Sequence, residues 1–391
     1  MSTVTGHLEK RAKGGWNIVL ELGRDPKTGK RRRKKVVCDG TKPVATKEMA
    51  KLIIQYDNNG YIDPSNMTFG DYLFKWLNKY ARKKEAKTYA SYESIITLHI
   101  IPRLGNIMLD RLRHYHIQDY IDEIQISGRL DGKEGGLAAT SVIKHYRIIH
   151  RALHYAVTKE MIPRNYAKGV ELPSKKKPKY KILSIEEISK MISHDVLEGE
   201  RIDFCRIADL AVNTGLRRGE VLGLRKLDID LNNKTIEINQ TIQYTKEKGV
   251  FIKPTPKNEA SQDVIFISDH EAELLKAQIV DQKKRKLILG EDYKDHGLIF
   301  SQDDGMPLHP DTISSWFPNF MERHNLPRIR FHDLRHTHIS ILIDSGASLA
   351  AVSERARHAE KSTTANIYTH ALDSAKKEIA EIMSKRLATT Q

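Results

Sequence analysis

The chain has 391 residues, 39% of them hydrophobic and 29% charged, which excludes a disordered polymer and, at about 150 residues per domain, a single small module. Lysine and arginine number 65 against 50 acidic residues, a net +15, and the two cysteines, Cys38 and Cys205, stand far apart. Neither a disulfide framework nor a cysteine zinc site fits that spacing, and a reducing cytosol suits it. The opening MSTVTGHLEKRAKGG has no apolar core segment and no stretch approaches about 18 apolar residues, so neither secretion nor a membrane span is expected.

The basic surplus is unevenly placed. Residues 1–62 carry 14 basic and 6 acidic residues, residues 63–181 carry 22 and 12, and residues 182–391 carry 29 and 32. A polyanion held mainly by the N-terminal half accounts for this asymmetry through phosphate neutralisation and counterion release. A solvated basic surface that aids solubility is the plainer explanation of a count alone.

In chain order, WNIVLEL (16–22) and KRRRKKVV (30–37) flank a segment with Pro26 and Gly29, which predicts a β-hairpin. Its second strand holds Arg31, Arg32, Arg33, Lys34 and Lys35 in succession. A strand points alternate residues to opposite faces, so one face can meet DNA while the other meets water or another strand. With a helix expected near Thr46 to Tyr56, this reads as a small β-sheet DNA-binding module.

From Phe69 the pattern turns helical, with Phe69, Tyr72, Leu73, Trp76, Leu77 and Tyr80 forming one apolar stripe. Further helices are predicted near Thr88 to His99 with Thr88 as N-cap, His114 to Ile126, and Thr140 to Glu160, a four-helix module. GRLDGKEGG (128–136) lacks the spacing and the hydroxyl residue of a phosphate loop and reads as a turn. PSKKKPKY (173–180) is linker-like, and Ser184 with Glu187 makes a capping box that opens the next helix. Beyond it, Thr235 to Tyr244 and Val264 to Ile267 read as extended segments, with turns at 232–234 and 255–258. Helices fill most of the rest, predicting a largely α domain with a small antiparallel sheet. The fold class expected is α+β and multi-domain.

Four short boxes gather the chemistry: Thr214-Gly215-Leu216-Arg217-Arg218-Gly219-Glu220, Thr255-Pro256-Lys257-Asn258, His332-Asp333-Leu334-Arg335-His336-Thr337-His338, and His358 ten residues before Tyr368. Arginines, a lysine, histidines and a tyrosine suit anion stabilisation and proton transfer during attack by a phenol. Each residue alone has an ordinary explanation, such as a cap, a turn lysine or a buried histidine. Glu220, three residues after Arg217, reads as an orienting partner for a neighbouring cation.

In this order and spacing the boxes resemble the catalytic half of the tyrosine recombinase (phage integrase) family. The basic β module and helical middle extend the likeness to conjugative-transposon and phage integrases. The resemblance implies that Arg217, Lys257, His332, Arg335 and His358 activate the scissile phosphate and that Tyr368 is the nucleophile. It implies strand exchange through a 3′-phosphotyrosine without metal, ATP or other cofactor. It implies three domains: arm-binding 1–62, core-binding 63–175, and catalytic 176–391. The implied partners are double-stranded DNA at arm and core sites, a homo-tetramer and an accessory directionality factor, in a bacterial cytoplasm at the nucleoid. The amphipathic tail Leu372 to Leu387 would dock on a neighbouring protomer, or on its own domain.

Two departures stand out. Ala356-Arg357 replaces the Leu-Gly that commonly precedes the second histidine, removing a residue that reaches positive φ cheaply. PKNEASQDV lacks a usual arginine downstream of Lys257. Rival readings are a non-catalytic DNA-binding regulator built on this scaffold, a type IB topoisomerase, and a zinc hydrolase in which His332 and His336 of HDLRH act as ligands and Asp333 as base.

Overall fold

The computed structural model describes residues 4–12, 14–24, 31–59, 67–175, 180–254 and 264–357. Two compact units divide it at Lys176 and Lys177. Among the described residues no helix is long and apolar enough to cross a membrane.

The first unit opens with a three-stranded antiparallel sheet, β1 (Thr5–Lys10), β2 (Trp16–Arg24) and β3 (Arg31–Cys38), in that order. The expected hairpin is β2–β3; its 25–30 turn lies outside the described residues. β1, formed by the GHLEK segment, is a third strand that the sequence reading did not anticipate. Alternation sends Ile18, Leu20 and Val36 to one face, where they meet Met49, Leu52 and Ile53 of α1 (Lys42–Asn59). Gly6 lies on that face too, where an added Cβ would stand 2.9 Å from Leu20 and 3.3 Å from Met49. The register pairs Leu20 with Lys34, placing that lysine on the helix side, and puts Glu21 opposite Arg33 and Val19 opposite Lys35 on the other face.

A helical bundle follows: α2 (Phe69–Tyr80), α3 (Ala86–Ile95), α4 (Ile101–Leu104), α5 (His114–Ser127) and α6 (Ala139–Thr158). The stripe read from Phe69 onward buries Phe69, Tyr72, Leu73, Trp76 and Leu77. Each such side chain contributes roughly 1.5–3 kcal/mol by leaving water. Thr88 is not the N-cap expected of it. The helix opens at Glu85, whose carbonyl receives the amides of Thr88 and Tyr89, because Ala86 and Lys87 are good helix formers and extend the helix toward the N-terminus. A π turn, Ile96–Ile100, joins α3 to α4 without a break. The 128–136 segment is a loop, closed where Leu137 donates to the Ile124 carbonyl at 2.8 Å.

The second unit is mostly helical. Ser184 and Glu187 form the expected capping box at the start of α7 (Ile185–Met191). Then come α8 (His194–Leu197), α9 (Ile202–Thr214) and α10 (Arg218–Gly223). The segment read as one extended run from Thr235 divides after Glu237. β5 (Thr235–Glu237) joins β4 (Ile229–Asp230) and β8 (Val264–Phe266) in one sheet, while β6 (Gln240–Thr245) pairs with β7 (Gly249–Pro254) as a separate hairpin. Asn239 bonds the Asp228 and Glu237 side chains at the division. α11 (Asp269–Leu289), α12 (Pro310–Arg323), α13 (Asp333–Asp344) and α14 (Leu349–Arg355) complete the unit.

Within the bundle, His145 is buried and its Nδ1 bonds the Tyr120 hydroxyl at 2.8 Å. Burial, with His99 next, pushes its pKa down to about 4. The unfolded chain therefore binds a proton that the folded chain refuses, and stability falls as pH drops from about 6.5 toward 4, by at most about 3 kcal/mol from this group. Urea unfolding at pH 7 and pH 5 should show a lower midpoint at pH 5, and His145→Gln should shrink the difference.

Candidate active site

Three turns build the site. The first is Gly215-Leu216-Arg217, between α9 and α10. Gly215 caps α9 at φ 68°, and a Cβ there would stand 2.6 Å from the His338 ring. Glycine is required both for the left-handed backbone and for the close approach. Arg217 is the N-cap of α10, and Glu220 closes a capping box in which the Arg217 amide donates to Glu220 Oε2 at 2.7 Å. The same carboxylate accepts Arg217 Nη1 at 2.9 Å. Glu220 thus fixes both the backbone and the guanidinium of Arg217, as its spacing suggested.

Arg218 turns away, to Ser314 and Asp311 of α12, so of the two adjacent arginines it is Arg217 that pairs with Glu220. Gly219 and Gly223 lie one helical turn apart on α10, and an added Cβ on either would meet a β6 carbonyl at 2.8 Å. These glycines let the β6–β7 hairpin lie directly against α10. Lys257, expected just past that hairpin, lies outside the described residues.

The second turn starts α13. Arg335 is only 3% exposed; its Nη1 donates to the Gly215 carbonyl at 2.5 Å and its Nη2 to the Ala356 carbonyl. Burial, then the neighbouring Arg217 charge, pushes its pKa down to about 9, which leaves it a cation at neutral pH. His332, at the N-cap of α13, is exposed. Desolvation on its inner side, followed by the Arg335 charge, lowers its pKa below the ordinary histidine value. It is therefore a neutral imidazole at neutral pH, able to accept a proton.

The other two histidines of this box are structural. His336 packs against Tyr180 with ring centroids 4.3 Å apart, and burial, then His332, pushes its pKa to about 4. His338 Nδ1 lies 2.9 Å from the Val212 carbonyl and must donate to it, so Nε2 accepts Arg355 Nε at 3.2 Å. Asp333, the base that a zinc reading requires, is instead held by the Arg330 amide at 2.8 Å and the Arg330 guanidinium at 2.8 Å. It is committed to a structural ion pair.

The third turn is Ala356-Arg357, after α14. Arg357 adopts φ 50°, so the backbone keeps the conformation that glycine would reach more cheaply, at a cost of about 1–2 kcal/mol. Its carbonyl accepts Arg217 Nη2 at 3.0 Å, and its own Nη2 lies 2.5 Å from Glu220 Oε2. Sequence reading noted Arg357 only as standing where glycine is common; its pairing with a residue 137 positions earlier is a tertiary contact that no local pattern reports. His358 and Tyr368, with the tail from Leu372 to Leu387, lie outside the described residues.

Arg217 and Arg335 therefore reach the carbonyls of two successive residues, Arg357 and Ala356, immediately upstream of His358. Among the described residues, the Arg217 and Arg357 guanidiniums pair with the one carboxylate of Glu220, and Arg335 lies near enough to feel the charges of all three. Unit charges about 4 Å apart interact by about 4 kcal/mol at an effective dielectric of about 20, so this gathering of like charge suits a bound anion. Its side-chain exposure differs within the set: 41% for Arg217 against a buried Arg335. Such a cluster of cations with a neutral imidazole near it suits an enzyme that stabilises an anionic transition state.

Comparison with known proteins agrees. The phage integrase family pattern matches residues 181–375, and the phage integrase N-terminal SAM-like domain matches residues 68–125. A "Tyrosine recombinase XerC-like" protein of Caldanaerobacter subterraneus is 26% identical over 96% of this chain and 97% of its own. The Tn1549 transposon integrase (aa 82–397) in complex with a circular intermediate DNA superposes with a TM-score of 0.67 at 18% identity, covering 81% of this chain and all of that one. The lambda integrase tetramer bound to a Holliday junction superposes at 0.53 and 19% identity, covering 92% of this chain and 94% of that one. At those identities the structural likeness is one of fold. The chain belongs to the phage integrase family of tyrosine recombinases, enzymes of site-specific DNA breaking and rejoining.

Gly215→Ala tests the first turn. Left-handed strain and the His338 clash should together cost at least about 2 kcal/mol, read as a lower unfolding midpoint. Strand cleavage should fall with it, because Arg335 is held on that residue's carbonyl.

Proposed function

We propose that this chain carries out strand exchange of a mobile element, with Tyr368 as nucleophile and Arg217, Lys257, His332, Arg335 and His358 as activating residues. The observation that carries the reading is the convergence of Arg217 and Arg335 on the turn that runs directly into His358. The Tyr368 phenol attacks phosphorus and loses its proton to His332. The phosphate stays esterified to tyrosine at the 3′ end. Lys257 protonates the departing 5′ oxygen. Charge building on the non-bridging oxygens is met by the two guanidiniums and by a donor on His358. A second 5′ hydroxyl reverses the attack and joins a new partner. Because the ester retains the energy of the broken bond, no ATP is consumed, and the cations supply the charge stabilisation that divalent ions give in two-metal nucleases.

Residues 1–62 are assigned to arm-site DNA, 63–175 to the core site and 176–391 to catalysis. The arm assignment is supported by the exposed face of β3, where Arg33 and Lys35 sit in cross-strand pairs with Glu21 and Glu9, each at 2.6 Å. Exposed pairs of that kind are weak and exchange readily for phosphate. Arg31 lies at the exposed start of the strand, Arg32 follows it in the chain, and Lys34 is half-buried on the side facing α1. Double-stranded DNA is the partner, with four protomers acting together, as in the lambda tetramer on a junction, and a directionality factor biasing the outcome. The proposed location is the nucleoid in a bacterial cytoplasm, and a DNA substrate supports it.

Incubation with a nicked suicide substrate bearing candidate element ends should trap a covalent adduct whose peptide carries DNA on Tyr368. Tyr368→Phe should still bind DNA and form no adduct; adducts in that variant would move the nucleophile elsewhere, and a band shift with no adduct in the wild type would mean a regulator.

The lowered His332 pKa sets a second expectation. As proton acceptor it must be neutral, so single-turnover cleavage should decline with falling pH along a limb centred below 6.5. In His332→Gln that limb should vanish, leaving a slower and flatter profile.

A further inference from the structure

We propose that Arg357 is a positioning residue that offsets the charge of Glu220, so that Glu220 can orient Arg217 without cancelling the positive charge offered to the scissile phosphate. The inference rests on the reading of Arg217 and Arg335 as the phosphate-binding pair.

The position is a poor one for arginine by backbone criteria. Its φ of 50° is a conformation that favours glycine. An arginine there carries a backbone cost, so its side chain must supply something in return, and the geometry shows what it touches. Arg357 Nη2 lies 2.5 Å from Glu220 Oε2, while Arg217 Nη1 holds Oε1 at 2.9 Å. The two guanidiniums therefore divide one buried carboxylate between its two oxygens. The Arg357 carbonyl meanwhile accepts Arg217 Nη2 at 3.0 Å. Side chain and backbone of a single residue close a ring: Arg217 to Glu220, Glu220 to Arg357, and Arg357 back to Arg217.

The charge count gives the ring its purpose. Glu220 alone, buried beside Arg217, would hold it in place and also neutralise it, leaving Arg335 as the uncompensated cation. With Arg357 present, the three guanidiniums and one carboxylate leave a surplus of two positive charges for a phosphate that gains negative charge during attack. Burial by itself would raise the Glu220 pKa, but Arg357 and then Arg217 outweigh it and hold it low, so the carboxylate stays ionised.

The test uses the full chain and the suicide substrate, with single-turnover adduct formation as readout. Arg357→Gly places the residue best suited to this φ in the turn, so the fold should be kept and the unfolding midpoint should match or exceed the wild type. DNA binding in a mobility-shift titration should change little. Adduct formation should slow by about tenfold, the scale of one lost charge-assisted contribution. Arg357→Lys should recover part of the rate. In a Glu220→Gln background, where there is no carboxylate charge to offset, Arg357→Gly should cause no further slowing.

Wild-type or faster cleavage by Arg357→Gly would overturn the inference, as would equal slowing in both backgrounds or a lysine variant as slow as glycine. Absence of an adduct in the wild type is a different failure, since it removes the phosphotyrosine reading itself and the inference with it.

Discussion

The site depends on one buried carboxylate shared by two arginines. Guanidiniums repel one another, and burying charge is costly unless it is paired and hydrogen-bonded. Glu220 offsets the charge of both arginines, hydrogen-bonding Arg217 and ion-pairing Arg357, and backbone carbonyls accept from Arg335. The carbonyls of Gly215, Ala356 and Arg357 are fixed in space by turns, so the cations they hold are fixed as well. Preorganisation of this kind is what makes donors effective toward a transition state, because no rearrangement is needed when charge develops. The left-handed backbone at Gly215 and Arg357 is the conformational cost of aiming those carbonyls inward.

The three histidines of α13 show how position divides identical side chains by role. His336 and His338 lose water and become neutral packing groups, one against Tyr180 and one bridging Val212 and Arg355. His332, at the start of the same helix, keeps contact with solvent while desolvation, and then the Arg335 charge, hold its pKa low. The role of proton acceptor proposed for it requires both properties. Helical geometry supplies the difference: the N-cap side chain lies at the helix edge, whereas residues farther along face α9 and the core.

The N-terminal sheet applies the same economy to charge. A run of five cations would repel itself in any conformation, and a strand separates alternate members onto opposite faces. Cross-strand glutamates then offset the charges of Arg33 and Lys35. Salt bridges of this exposure add little to stability, so the arm-site binding proposed for this sheet would lose little by breaking them.

Much of the chain was legible without coordinates, for reasons that are local. The 3.6-residue stripe from Phe69 names the buried face of α2, the Ser184–Glu187 capping box names the start of α7, and the alternation around Ile18 names a half-buried strand. The boxes that carry the family resemblance were legible because their order and residue types are held within short windows. What the sequence misjudged was also local but weakly encoded: Thr88 lost the cap to Glu85, and the 235–244 run divided at Ile238 and Asn239, where side-chain bonds to Asp228 and Glu237 mark the break. The chain by itself determined the family, the helical faces and the candidate cations. Only the tertiary structure decided that Arg218 pairs with α12 while Arg217 stays with Glu220, that Asp333 is tied to Arg330, and that Arg357 closes on Glu220. Those outcomes hinge on distances between residues far apart in sequence, which are set by how helices pack and turns bend, and no spacing along the chain contains them.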